Sequence, residues 1–243
     1  MKILLVILLS LLYSEERLLD SYNALDSILN NFVDINGDVN YNGIIENPYN
    51  FNEYFKFIEE VSPDSHPEYF NTPNKKMAYW INTYNALIIK LMIDNPEKNI
   101  LDISMGHAIW FTKFKVGGKN ISLYKIEHKI LRKMNDPRIH FAINCGSRSC
   151  PPLGHRIFLP ETLDLQLEEK TKSFINDKNN VYIDSDVQVI YLNKIFKWYK
   201  KDYNNVRKFL IKYLEENLSY KDIKDYKIKY YKYDWSSNQI KNL

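Results

Sequence analysis

The stretch from Met77 to Ile93, M-A-Y-W-I-N-T-Y-N-A-L-I-I-K-L-M-I, is apolar on almost every side of a helix. A helix with this pattern is buried all round, so the rest of the fold is predicted to surround it. Asn82 and Asn85 interrupt the apolar run three residues apart and therefore share one face. Buried amides need partners. These two either hold a neighbouring loop, orient a catalytic group, or donate hydrogen bonds to an oxyanion.

A second stretch, from Arg138 to Leu153, holds both cysteines of the chain, Cys145 and Cys150. Its alternation of apolar and other residues predicts a buried strand up to residue 144, broken at Gly146. A strand that ends in a thiol-bearing loop is a common base for a functional site, because the strand holds the loop in place. Two interpretations remain open, a reactive thiol and a Cys145–Cys150 disulfide that closes a short loop. The candidate binding residues of this stretch are His140, Asn144, Ser149 and Cys150.

Between these two stretches, the sequence predicts a β-hairpin followed by a helix. Residues 110–116 alternate as a strand, Gly117 and Gly118 turn, and residues 120–123 return. Ser122 is the predicted N-cap of a helix over residues 123–134.

That helix carries three candidate site residues, Glu127, His128 and Arg132. His128 and Arg132 are spaced i, i+4 and so share a face. Glu127 and His128 are adjacent, and the ordinary helical angle between neighbours predicts that they do not face each other.

Helix and strand patterns do not alternate regularly along the chain, which favours an α+β fold. We predict a single domain over residues 18–237, with the buried helix packed on a mixed or antiparallel sheet. The other predicted helices cover residues 18–33, 51–61, 161–175, 195–203 and 206–218, and the other strands cover residues 181–183, 187–191 and 223–235.

The N-terminus is typical of an export signal. Lys2 precedes an apolar run from Ile3 to Tyr13 that is too short to span a bilayer. We therefore predict a signal peptide over residues 1–14, a periplasmic or extracellular location and no stable membrane span. The alternative is a buried N-terminal helix.

The composition and motifs exclude several classes of function. The formal net charge of +3 comes from 33 basic and 30 acidic residues, which leaves no basic footprint for nucleic acid. The sequence contains no Gly-rich phosphate loop, G-x-S-x-G elbow or H-E-x-x-H motif. His140 and His155 flank the cysteines, but their spacing matches no established zinc pattern. We predict no metal and no cofactor.

Several motifs together resemble one family, the domain of unknown function 547. They are Y-W-I-N-T-Y-N-A-L, S-L-Y-K-I-E-H-K-I-L-R, the cysteine stretch, I-F-K-W-Y-K-K-D-Y and Y-D-W-S, in this order over residues 20–237. Members of this family occur in exported bacterial proteins and, behind a coiled coil, in plants. The resemblance points to Asn82, Asn85, Glu127, His128, Arg132, His140, Cys145 and Cys150.

The resemblance implies a shared fold and a shared site, and says much less about the reaction. Plant members are similar but carry Ser at the position of Cys150 and lack His140, which implies that Cys145 and His128 belong to the shared site. From these residues we predict a cysteine-dependent hydrolase or acyltransferase that acts on an amide or ester of an unknown small molecule or peptide. Cys145 is the expected nucleophile and His128 its base.

In this hypothesis Asn82 or Glu127 holds the imidazole of His128, as in a Cys-His-Asn site. Because His128 precedes Cys145, a papain-like fold would need a rearranged site. The alternative hypothesis is a non-enzymatic exported binding domain in which Cys145 and Cys150 form a structural disulfide.

Overall fold

The computed structural model describes residues 2–240, except for the side chains of residues 2–15, Ser104, Ala108 and Trp110. Its α-helices are α1 (Lys2–Phe32), α2 (Tyr41–Glu46), α3 (Tyr49–Glu60), α4 (Pro73–Ile93), α5 (Ala108–Phe111), α6 (Leu123–Lys125), α7 (Leu163–Asn176), α8 (Ile195–Trp198), α9 (Val206–Tyr213) and α10 (Tyr220–Ile223). Its strands are β1 (Phe114–Val116), β2 (Lys119–Ile121), β3 (Val181–Asp184), β4 (Val189–Leu192) and β5 (Lys227–Tyr230). The chain is a single α+β domain, as predicted.

Helix α4 lies at the centre of the domain. Thr72 caps it by accepting a hydrogen bond from the Lys75 amide, and Pro73 occupies its first turn. Every residue from Met77 to Ile89 is buried. Most of its contacts are with other helical segments, among them α2, α6 and the turns that follow α6. A helix without a polar face can fold only where neighbours cover every side.

The two sheets are small, with two and three strands. Strands β1 and β2 form the predicted antiparallel hairpin around Gly117 and Gly118, which both have positive φ. Strands β3, β4 and β5 form a mixed sheet, antiparallel between β3 and β4 and parallel between β4 and β5. Of the predicted C-terminal strand over residues 223–235, only β5 forms.

Two hydrophobic clusters make up the core. The larger surrounds α4 and includes α1, α3 and the hairpin, whereas the smaller lies among α7, α8, α9 and the mixed sheet. Residues 139–143 join the two, because Ile139 and Ile143 pack in the first cluster and Phe141 packs in the second. The cysteine loop follows directly, so its base is anchored where the clusters meet.

The prediction of a strand before the cysteines was wrong. Pro137–Phe141 is a 3-10 helix, capped by Asp136, whose side chain accepts a hydrogen bond from the Arg138 amide. Asp followed by Pro provides a helical N-cap and first position, which favours a turn over an extended start. The alternating apolar residues are still buried, but they pack into two hydrophobic clusters and not against one face of a sheet.

Export remains a prediction. The side chains of residues 2–15, which include most of the predicted signal segment over residues 1–14, lie outside the described residues. In the part of the chain that the structure describes, none of the helices combines the length and apolar character needed to cross a membrane.

Candidate functional site

A cavity of about 430 Å³ opens at the meeting of the two clusters. Its volume is in the range of small-molecule sites. It is lined by Tyr84, Ile109, Glu127, His128, Arg132, His140, Ile143, Asn144, Cys145, Cys150, Pro151, Ile195, Trp198, Tyr199, Tyr233 and Trp235. Seven of the predicted site residues are therefore brought together: Glu127, His128, Arg132, His140, Asn144, Cys145 and Cys150.

The cysteine loop forms one edge of the cavity. Cys145 and Cys150 are joined as a disulfide, so the described chain contains no free thiol. Cys145 Sγ also lies 3.1 Å from Ser147 Oγ and 3.6 Å from the Tyr233 hydroxyl. The sulfur of Cys145 is thus surrounded by hydroxyl groups that can donate hydrogen bonds to a thiolate if the disulfide is reduced.

Two backbone features hold this loop. Gly146 has φ of +78°, and a Cβ there would lie 3.2 Å from Met92, so the residue both turns the chain and lets it approach α4. The C-terminal segment runs alongside, where the Arg148 amide donates to Ser236 and the Asn238 amide donates to Gly146. The loop is therefore clamped between the central helix and the end of the chain.

Glu127 and His128 do face each other, which corrects the sequence prediction. Residues Ile126–Ile130 form a π-helix, in which successive side chains are separated by a smaller angle than in an α-helix. Glu127 Oε1 lies 3.7 Å from His128 Nε2, close enough for charge attraction when His128 is protonated but too far for a hydrogen bond. Single-turn π segments of this kind are frequent at functional sites.

The surroundings of His128 favour its neutral form. Burial lowers its pKa below the ordinary value, Glu127 opposes this, and the charge of Arg132 adds to the lowering. Its Nδ1 lies 2.7 Å from an Arg132 nitrogen, which donates to it. With the disulfide formed, the imidazole of His128 is therefore hydrogen-bonded to Arg132 and not to Cys145.

Arg132 and His140 are connected through Asp202. Arg132 donates two hydrogen bonds to this carboxylate, at 2.6 and 2.7 Å, and His140 Nε2 lies 2.8 Å from it. The His140 hydrogen bond and then the Arg132 hydrogen bond hold the Asp202 pKa well below its usual range, against partial burial. His140 is also stacked on Tyr199, with ring centroids 3.9 Å apart. This group fixes the wall of the cavity behind His128.

Buried phenols complete the surroundings of Glu127. The Tyr84 hydroxyl donates to Glu127 Oε2 at 3.2 Å. Burial, followed by the charge of Glu127, raises the pKa of Tyr84 and of Tyr199 well above the ordinary value. Both phenols therefore stay protonated and able to donate.

Three predicted residues lie outside the cavity. Asn82 holds the Phe158 backbone, donating to its carbonyl at 2.8 Å and accepting from its amide at 2.9 Å. Asn85 does the same for the cysteine loop, donating to Ala142 and accepting from Asn144. The oxygen and nitrogen of each amide therefore bind loop backbone, and the other roles considered for these two residues stay predictions.

Ser149 faces the C-terminal segment instead of the cavity. Its hydroxyl accepts a hydrogen bond from the Asp234 amide at 2.8 Å. Asn144 both lines the cavity and holds the loop, since its side chain binds the backbone of Pro151 and Gly146.

Sequence reasoning missed Asp202 and most of the aromatic wall. The available signal was the pair of motifs I-F-K-W-Y-K-K-D-Y and Y-D-W-S, which supply Trp198, Tyr199, Asp202, Tyr233 and Trp235. Among the described residues, no group of three or more His, Cys, Asp or Glu side chains is placed to hold a metal ion.

One known family matches part of the chain. Residues 69–175 match the model of the family described as Protein of unknown function, DUF547. This part of the chain belongs to the DUF547 family. The match includes α4, the π segment and the cysteine loop, but ends before α8 and the C-terminal segment. No curated protein and no solved structure matches the chain. The wider resemblance over residues 20–237 and a papain-like arrangement therefore remain predictions.

Proposed function

We propose that this DUF547 protein is an exported hydrolase or acyltransferase in which Cys145 is the nucleophile once its disulfide with Cys150 is reduced. The observation that carries the proposal is that Cys145, His128 and Glu127, separated in sequence, line one cavity of small-molecule size. An external dithiol would supply the two electrons and two protons for reduction, becoming a disulfide itself.

In the reduced protein the Cys145 sulfur attacks the carbonyl carbon of an amide or ester, and the thiol proton passes to His128. The leaving amine or alcohol takes that proton, and a thioester remains on Cys145. Water or a second nucleophile then attacks the thioester and restores the thiol. Glu127 stabilises the imidazolium through its charge. The reaction requires His128 to release the hydrogen bond from Arg132 and turn toward the sulfur.

The disulfide favours a second candidate, an exported binding domain that uses the same cavity without chemistry. Cys145 and Cys150 are five positions apart and are already joined. Closing so short a loop contributes about 2 kcal/mol by the chain-entropy estimate. In this alternative the two cysteines act only as a pair.

The two candidates predict different thiol chemistry. We expect Cys150→Ser to leave a Cys145 thiol that a thiol-directed probe labels rapidly near pH 6, because nearby hydroxyls stabilise its thiolate. We expect Cys145→Ser to leave a Cys150 thiol that reacts roughly tenfold more slowly, as an ordinary thiol does at that pH. Labelling rates followed by mass spectrometry, with circular dichroism as a control for folding, provide the measurement. Equal labelling rates and equal losses of thermal stability in the two variants would support the binding domain and contradict the enzyme hypothesis.

Export is supported by the charged and then apolar N-terminal sequence. Fractionation of the producing cell is expected to place the protein outside the cytoplasm. A cytoplasmic pool that retains residues 1–14 would contradict this part of the proposal.

A further inference from the structure

Glu127 carries a buried negative charge that its surroundings only partly satisfy. Its side chain is 5% exposed, and its Oε1 has no hydrogen-bond partner in the described part of the chain. Its other oxygen accepts from Tyr84, the Tyr199 hydroxyl also interacts with the carboxylate, and His128 Nε2 lies 3.7 Å from Oε1. A buried carboxylate oxygen without a donor is costly and indicates that a donor arrives from elsewhere.

Arg132, the arginine of the cavity wall, does not supply that donor. The Arg132 guanidinium is bound to Asp202 through two hydrogen bonds, and its third contact is with His128. Its charge is therefore matched by Asp202. The charge of Glu127 is left over on the cavity wall, which makes the cavity suited to a positive group and unsuited to a negative one.

The rest of the wall is aromatic. Tyr233 packs against Trp198 and Trp235, with ring centroids 4.7 and 4.5 Å apart, and Tyr84 and Tyr199 line the same cavity. Trp198 is 44% exposed, so an aromatic face reaches the solvent at this site. Several aromatic rings around a carboxylate form the arrangement that recognises organic ammonium groups, since ring faces attract cations that are too large and apolar to be well hydrated.

We propose that the cavity binds an organic ammonium ligand, with the cationic nitrogen against Glu127 Oε1 and its apolar body between the aromatic rings. This ligand class belongs to the cavity used in the proposed function. It applies equally to an enzyme and to a binding domain, because it does not depend on a free Cys145 thiol. A test on the oxidised protein therefore separates its failure from the failure of the nucleophile.

The test compares three probes of similar shape: phenethylamine, phenethyl alcohol and phenylacetate. With the disulfide intact, calorimetric titration is expected to show phenethylamine binding roughly tenfold more tightly than the alcohol, and phenylacetate binding most weakly. Glu127→Gln keeps the shape and the acceptor for Tyr84 but loses the charge. This variant is expected to reduce the affinity for the amine to that for the alcohol, and to leave the affinity for the alcohol unchanged. Glu169→Gln, an exposed position on α7, is the matched control and is expected to change neither.

Several outcomes would overturn the inference. Equal affinity of the wild-type protein for amine and alcohol, tighter binding of phenylacetate, or no binding of any probe would each do so. A preference for the amine that survives Glu127→Gln would remove Glu127 as the anchor. If that variant does not fold, Trp198→Leu provides the second arm, because this partly exposed ring can be removed with little loss of core. This variant is expected to lower the affinity for the amine more than the affinity for the alcohol. An equal change in both affinities would contradict the aromatic cage.

Discussion

Replacing Asn85 with Ala is expected to lower the free energy of unfolding by about 3 kcal/mol, since two buried backbone groups then lose their partners at roughly 1–3 kcal/mol each. Asn85 is buried in α4, and its amide donates to the Ala142 carbonyl and accepts from the Asn144 amide, both at 2.9 Å. No strand ladder satisfies these two groups, because residues 137–141 form a 3-10 helix. The side chain of Asn85 acts in place of a neighbouring strand.

Thermal unfolding measures this effect, and a fall in Tm of roughly 6–12 °C is expected for a chain of this size. The matched control is Asn95→Ala. Asn95 lies just beyond the same helix, is half-buried, and donates one hydrogen bond to the Leu91 carbonyl at 3.0 Å. Its loss is expected to cost less than about 1 kcal/mol. Hydrogen exchange of residues 142–146 is also expected to accelerate in Asn85→Ala only. Equal losses of stability in both variants would contradict the assigned role.

Asp202→Asn is expected to destabilise the protein by about 2–3 kcal/mol at neutral pH, because it leaves Arg132 and the buried His140 without their shared carboxylate. The substituted amide has one acceptor oxygen and presents a further donor to two groups that already donate. The expected cost is at the lower end for a broken ion pair, since the Asp202 side chain is 23% exposed to water.

The same carboxylate predicts a pH dependence. Its pKa is well below the ordinary value in the folded protein and close to about 4 in the unfolded chain. Its contribution is therefore fully present above the unfolded pKa and is lost as the pH falls toward the folded pKa. The difference in stability between the wild-type protein and Asp202→Asn is expected to be constant above about pH 5 and to shrink below about pH 4.

Denaturant titrations across that range provide the measurement. Asp186→Asn is the control, since Asp186 is an exposed residue in the turn between β3 and β4, and its pH profile is expected to follow the wild-type protein. If the difference in the free energy of unfolding between the wild-type protein and Asp202→Asn stays constant down to about pH 2, the charge of Asp202 makes no contribution to stability.

Local patterns in the sequence were sufficient for several elements. The apolar run of α4, the Gly117–Gly118 hairpin and the Ser122 cap all depend on residues within one turn or one helix, and the structure contains each of them. Glu127, His128 and Cys145, chosen from their residue types and the family resemblance, line one cavity, while their catalytic roles stay predictions. Hydrophobic period and capping act over a few residues, so they can be read without the fold.

Only the tertiary structure decided what those residues contact. The backbone of Ala142 and Asn144, in the predicted strand before Cys145, pairs with the side chain of Asn85, far away in sequence, and not with a neighbouring strand. Glu127 faces His128 because the helix widens into a π turn. Trp198 and Tyr233 form the cavity wall although their local sequence is equally suited to a core. Each outcome depends on contacts between residues distant in the chain, and local propensity carries no information about them.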